Sequence, residues 1–116
     1  MSLESSVYSA VTGDGTIGAL IGTRLYPDVA PDDATFPAMV YQVLTQVPIG
    51  SNGCTQSRVQ IDSYAASYTV VITMRDALIA LANATGHWRY NAGPDFYEDD
   101  TELYRKVVEV LVAHEV

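Results

Sequence analysis

The sequence predicts an α+β protein built as a two-layer sandwich. A mainly antiparallel sheet of about four strands is expected, with one long helix and short N-terminal helices packed on one face. Two observations predict this fold. The hydrophobic period changes from two to between three and four at Ser67, so a strand leads directly into a helix. The other periodic segments are joined by short connections, which favour antiparallel pairing of strands.

The long helix is predicted from apolar residues that recur every three or four positions. These residues are Val71, Met74, Leu78 and Leu81. They define one side of a helix of about four turns, and this side must be covered by a sheet. Ser67 is expected to cap the N-terminus of the helix through its hydroxyl, and Gly86 suits its C-terminal end.

Alternating polar and apolar residues predict the strands. In the segment from Gln56 to Ala65, one face carries Arg58, Gln60, Asp62 and Tyr64, and the other carries Val59, Ile61, Ser63 and Ala65. Three further strands are expected over Ala38–Val47, His87–Tyr90 and Leu103–Glu115. Pro48 is expected to end the first of these. A turn over Asn91–Pro94 is expected to follow the second, with Asp95–Glu98 resuming it.

The N-terminal part is predicted to be helical. A first short helix carries Leu3 and Val7 on its buried side and begins at Ser2, and a second begins at Thr16 and ends at Gly22. A short extended piece, Arg24–Tyr26, leads into a loop over residues 27–37, which is rich in proline and aspartate.

The charge balance limits the classes of function. Six basic residues stand against fourteen acidic ones in 116 residues, which gives a net charge of -8 and disfavours tight binding to nucleic acid. The length predicts a single domain over residues 1–116. No apolar run is long enough for a membrane span, and we expect no secretory signal. Cys54 is the only cysteine, so an internal disulfide is excluded.

One motif, Gly13–Gly18, fits the dinucleotide-binding pattern G-x-G-x-x-G. That chemistry requires a strand before the glycines and a full helix after them. Here a helix is predicted before them and only a short helix after them. A helix-breaking turn is therefore the favoured interpretation, and a small nucleotide-binding protein is the alternative.

The remaining candidates for chemistry are weak. The acidic run over residues 97–102 could attract a hard cation, but it lacks the ligand spacing of an EF-hand and is expected to be a solvated hairpin tip. Neither His87 nor His114 has a cysteine or a second histidine close to it in sequence, and Cys54 has no basic residue close to it in sequence. We therefore predict no catalytic, cofactor-binding or metal-binding residues. Eight tyrosines are more typical of protein–protein contacts.

Four segments together resemble a known family. They are Arg24–Pro27, Phe36–Gln42, Arg58–Ala65 and Tyr97–Arg105. Their order and spacing resemble those of the small tail-completion, or tail-terminator, proteins of long-tailed phages, prophages and gene-transfer agents. The resemblance extends over nearly the whole chain.

The resemblance implies a structural virion protein that has no catalytic residues. It would be assembled in the host cytoplasm as a ring, usually a hexamer. The ring would cap the head-proximal end of the tail tube, end tube polymerisation and join the head connector, while DNA passes through its lumen unbound. A different head–tail neck or completion adaptor is the alternative. Candidate ring or partner contacts are Arg24, Tyr26, Asp32, Asp33, Arg58, Asp62, Tyr64, Glu98, Asp99 and Arg105.

Overall fold

The computed structural model describes residues 2–49, 53–86, 88–99 and 101–115. Its elements are, in chain order, α1 (Leu3–Gly13), α2 (Gly15–Ile21), β1 (Leu25–Pro27), β2 (Ala38–Ile49), β3 (Cys54–Ala65), α3 (Tyr68–Thr85), β4 (Trp88–Glu98) and β5 (Leu103–Glu115). This arrangement confirms the predicted α+β class.

The five strands form one sheet in the order β1-β2-β3-β5-β4. The four long strands are antiparallel to their neighbours, as predicted, and only the short β1 runs parallel to β2. The sheet has one strand more than the approximate expectation because the extended piece after α2 joins its edge.

All three helices contribute to a core on one face of the sheet. The fully buried side chains include Val7 and Val11 of α1, Ile17 and Ile21 of α2, Val71, Met74 and Leu78 of α3, and Met39, Val59, Ile61, Val108 and Val110 of the sheet. The predicted caps of α3 are confirmed, since the Ser67 hydroxyl accepts the Val70 N–H at 3.4 Å and Gly86 is left-handed at φ 75°. Within the described residues, no helix combines the length and apolarity that crossing a membrane requires.

The junction between α1 and α2 differs from the prediction. Asp14, and not Thr16, caps α2, because the Asp14 carboxylate accepts the N–H groups of Thr16 and Ile17 at 3.2 and 3.0 Å. A single residue therefore separates the two helices, and they pack closely. A β-carbon at Gly18 would lie only 2.8 Å from the Thr12 carbonyl oxygen, so this crossing requires glycine.

Two predicted strand boundaries are wrong. Strand β2 continues through Pro48 to Ile49, because β1 covers β2 only as far as Tyr41 and a proline is tolerated on a free edge. Strand β4 continues through the expected turn as a bulge between Ala92 and Asp95. Residues 50–52 of the predicted connection, His87 at the predicted start of a strand and Asp100 of the acidic run lie outside the described residues.

Candidate partner-binding surface

The sheet face opposite the helices, here called the open face, carries polar and aromatic side chains. Strand register arranges its residues in four cross-strand rows. They are Thr45–Arg58–Leu111–Arg89, Gln42–Gln60–Glu109–Asn91, Val40–Asp62–Val107 and Ala38–Tyr64–Arg105–Phe96. The period of two in β3 already predicted which of its residues lie here.

An ion pair between Asp62 and Arg105 joins the two middle strands, β3 and β5, near one end of the open face. Arg105 donates from Nη2 and Nε to Asp62 Oδ2 at 2.7 and 3.1 Å. The Gln60 amide donates to the other carboxylate oxygen at 2.9 Å. Asp62 is only 5% exposed. Burial acts to lower the pKa of Arg105, but the hydrogen bonds and charge of Asp62 outweigh it, so that the pKa is raised and the guanidinium stays charged.

Aromatic rings surround this ion pair. The Arg105 guanidinium lies 5.1 Å from the Phe96 ring centre and 5.9 Å from that of Tyr64. Phe36, from the loop before β2, lies 6.3 Å from the Tyr64 ring. The pKa of Tyr64 is raised by burial, with Arg105 opposing and Asp62 adding to the effect. The cluster is therefore a preorganised, amphipathic surface of the kind found in protein interfaces.

A groove with a volume of about 350 Å³ opens beside the cluster. One wall comes from the loop over residues 28–36 and the other from the β4–β5 hairpin, and the floor includes Val40, Asp62 and Tyr64. Asp28 and Glu98 place carboxylates on opposite sides of the groove. The groove thus combines a floor of mixed polarity with an acidic rim.

The structure brings together five of the ten predicted contact residues on this face. Asp62, Tyr64, Glu98 and Arg105 line the groove, and Arg58 lies further along, where it pairs with Glu109 at 2.6 Å. Arg58 and Arg105 each form a cross-strand ion pair on this face, with Glu109 and Asp62 respectively. Their contact with a partner stays a prediction.

The other five residues lie elsewhere. Arg24 is half-buried and donates to the carbonyl oxygens of Pro37 and Leu20 at 2.9 and 3.0 Å, so its guanidinium ties the end of α2 to the loop before β2. Tyr26 is half-buried in β1, and Asp32, Asp33 and Asp99 are exposed in loops. Their role as partner contacts also stays a prediction.

Several residues of the surface were missed by sequence reasoning. Phe36 and Phe96 reach the Arg105 cluster from separate elements, and Glu109 pairs with Arg58 further along the open face. Phe96 could have been found from the alternation in β4 if no turn had been placed there. On the helix side, buried Lys106 pairs with Asp95 and lies 5.1 Å from the Tyr68 ring centre, a contact that no motif indicated.

The glycine motif does not have the geometry of a dinucleotide site. Gly13 ends helix α1, and Gly15 opens a helix of only seven residues whose first N–H groups are already bound by Asp14. No strand leads into these glycines among residues 2–24 of the described chain. A phosphate would meet a carboxylate at this helix end. Across the described ranges, no group of three or more candidate metal ligands occurs either.

Comparisons with known proteins agree with this fold. A family model described as "Tail completion protein gp17" matches residues 5–115. A chain in the solved structure "Virion of native gene transfer agent (GTA) particle" superposes with a TM-score of 0.66 at 13% identity, covering 99% of this chain and 96% of that one. At this identity the likeness shows a shared fold. None of the curated proteins compared with the chain matches it.

The fold and its open face define a small α+β protein with a prominent polar and aromatic sheet surface. The family match covers almost the whole sequence, and the resemblance seen in the four segments is thereby confirmed. The chain belongs to the tail completion protein gp17 family, and its role is that of a structural component of a phage-type tail.

Proposed function

We propose that the protein is a tail terminator that closes the head-proximal end of the tail tube as a ring of identical copies. The observation that carries this proposal is the family match over residues 5–115. A ring requires a head-to-tail contact between two different surfaces of the same chain, and such contacts close when the rotation between copies is suitable. The capped end then offers no site for the next tube subunit.

The charge of the chain supports a role around a DNA channel. A net charge of -8 repels phosphate, so DNA can move past the ring without being held. The ring would form in the host cytoplasm during assembly and remain in the virion tail, between the tube and the head connector. The acidic-rimmed groove is the surface that we assign to one of these two neighbours. The mechanism depends on shape and requires no cofactor.

The proposal is tested by tube elongation. Subunits of the tail-tube protein from the same phage are polymerised with and without the purified chain, and tube lengths are measured in negative-stain images. Added chain should shorten the tubes in proportion to its amount, because each ring removes a growing end. Heat-denatured chain at the same concentration is the control. Unchanged length distributions at saturating chain would contradict the proposal.

A further inference from the structure

The sheet has two free edges, one at β2 and one at β4. On one side, β1 pairs with β2 only over Met39–Tyr41, so β2 presents an unpaired edge from Gln42 to Ile49. On the other side, β4 is the outermost strand over its whole length. Unpaired strand edges carry free N–H and C=O groups and tend to recruit another strand.

The β2 edge has Pro48 and a bulge at Leu44 as protection against such recruitment, but it lacks the charged side chains that usually add to it. No charged residue occurs between Asp33 and Arg58, so the whole strand is uncharged. Leu44 and Val47 are 42% and 56% exposed, and Leu44 is the extra residue of a bulge. Charged residues normally guard exposed edges of this kind. An uncharged edge with two exposed apolar side chains favours coverage by a partner strand.

The unpaired segments of the two edges lie at the same height along the strand direction. Register places Thr45 of β2 and Arg89 of β4 in one cross-strand row, and Gln42 and Asn91 in the next. Towards the other end of the sheet, β1 covers β2, and the bulge at Ala92–Asp95 interrupts β4. Rotation about an axis parallel to the strands keeps every residue at its own level. Copies arranged in such a ring would therefore bring the two open edges face to face.

Strand direction also fits this arrangement. The order β2-β3-β5-β4 alternates in direction at every step, so β2 and β4 of one copy run in opposite directions. A neighbour related by rotation about the strand axis keeps its own direction. Its β4 would then run antiparallel to β2, and the alternation would continue across the boundary between copies.

We propose that Gln42–Gln46, within the free edge of β2, pairs antiparallel with the segment Trp88–Asn91 of β4 in a second copy of this chain. The sheet then continues from copy to copy through these two segments when the ring closes. This inference rests on the proposed ring function and assigns the contact that builds the ring. It is β-strand addition between identical chains, in which main-chain hydrogen bonds supply the affinity.

Cysteine cross-linking tests the contact. Thr45→Cys and Arg89→Cys are combined in a Cys54→Ser chain, which is assembled on tail tubes and mildly oxidised. Head-to-tail pairing predicts a ladder of covalent oligomers on a non-reducing gel. Thr45→Cys with Asn91→Cys samples the adjacent register, since a shift of two residues keeps the same face. Thr45→Cys with Asp76→Cys, which lies on exposed α3, should give no ladder.

The outcomes separate the two proposals. Capped tubes without a ladder from either edge pair would overturn the edge contact and leave the terminator function standing. Covalent dimers from Thr45→Cys alone would also overturn it, because like edges would then meet. Failure of the unmodified chain to bind tube ends would overturn the terminator function itself.

A second variant tests the edge without cross-linking. Leu44→Lys combined with Val47→Lys should leave the folded single copy intact, because both side chains are exposed there. It should reduce ring formation on tubes about tenfold or more, because desolvated charges oppose the pairing. Ala80→Lys, on the exposed side of α3, is the matched control and should assemble normally. Equal assembly by the edge variant and the control would contradict the proposal.

Discussion

At the scale of single residues, the Asp62–Arg105 ion pair is the centre of the aromatic cluster on the open face. Asp62 is buried, whereas the Arg105 side chain is 27% exposed, so water weakens the interaction only in part. The same pair fixes the guanidinium between the Tyr64 and Phe96 rings. A fixed arginine between two aromatic rings loses little entropy when it meets a partner, which favours its use in an interface.

Removing the charge of Asp62 should therefore destabilise the fold. Asp62→Asn leaves Arg105 half-buried without its counter-ion, and we expect the free energy of unfolding to fall by about 2 kcal/mol. Urea denaturation measures this change. Asp76→Asn removes a carboxylate from the exposed Arg75–Asp76 pair, and should change the same free energy by less than about 0.5 kcal/mol. Equal effects of the two substitutions would show that the central pair has no special role.

The raised pKa of Tyr64 predicts a loss of stability in alkali. The folded state favours the neutral phenol of Tyr64. The contribution of this phenol to the free energy of unfolding is therefore complete below the ordinary tyrosine pKa of about 10, and it is lost as pH rises through the higher folded-state pKa. Above about pH 10, the wild-type chain should lose unfolding free energy more steeply than Tyr64→Phe. Urea titrations at several alkaline pH values compare the slopes. Parallel slopes for the two chains would rule out the expected shift.

At the scale of elements, the α1–α2 junction shows how one glycine allows two helices to pack closely. Because a β-carbon at Gly18 would meet the Thr12 carbonyl oxygen at 2.8 Å, Gly18→Ala must push the two helices apart. We expect a loss of about 1–3 kcal/mol in the free energy of unfolding. Gly15→Ala, three residues earlier, meets no atom within 4 Å and should be neutral or slightly stabilising. Thermal unfolding compares the two variants, and a similar loss in both would contradict this packing.

Elements formed by interactions between residues close in sequence could be predicted, and features that depend on residues far apart in sequence could not. Helix α3 and its caps at Ser67 and Gly86 could be predicted, because apolar spacing and capping depend on residues close in sequence. The bulge in β4 could not. Gly93 and Pro94 are typical of a turn, but pairing with β5 keeps the segment extended, and a β-carbon at Gly93 would lie 3.0 Å from Val107 Cγ1.

The candidate surface shows the same division. The alternation in β3 predicted that Arg58, Asp62 and Tyr64 share one face, because a strand's period is local. The alternation could not predict that Arg105 binds Asp62 or that the Phe96 ring packs against the Arg105 guanidinium, because these contacts depend on the register between strands. Arg24 was expected at a partner contact, but its guanidinium is used within the fold.

At the scale of the whole molecule, long strands set the shape. The molecule measures 47 × 25 × 23 Å, and twelve-residue strands such as β3 span about 40 Å, so we infer that the long axis follows the sheet. In a ring whose axis is parallel to the strands, each copy would stand as one segment of the wall. The two open edges of the sheet favour this assembly.

The position of the protein on the tail tube tests the central claim most directly. Gold-labelled chain is mixed with preformed tubes of the tail-tube protein from the same phage and imaged by negative stain. We predict label confined to one end of each tube, with a ring visible at that end. Label scattered along the tube walls, or absent from tubes at saturating chain, would contradict the account.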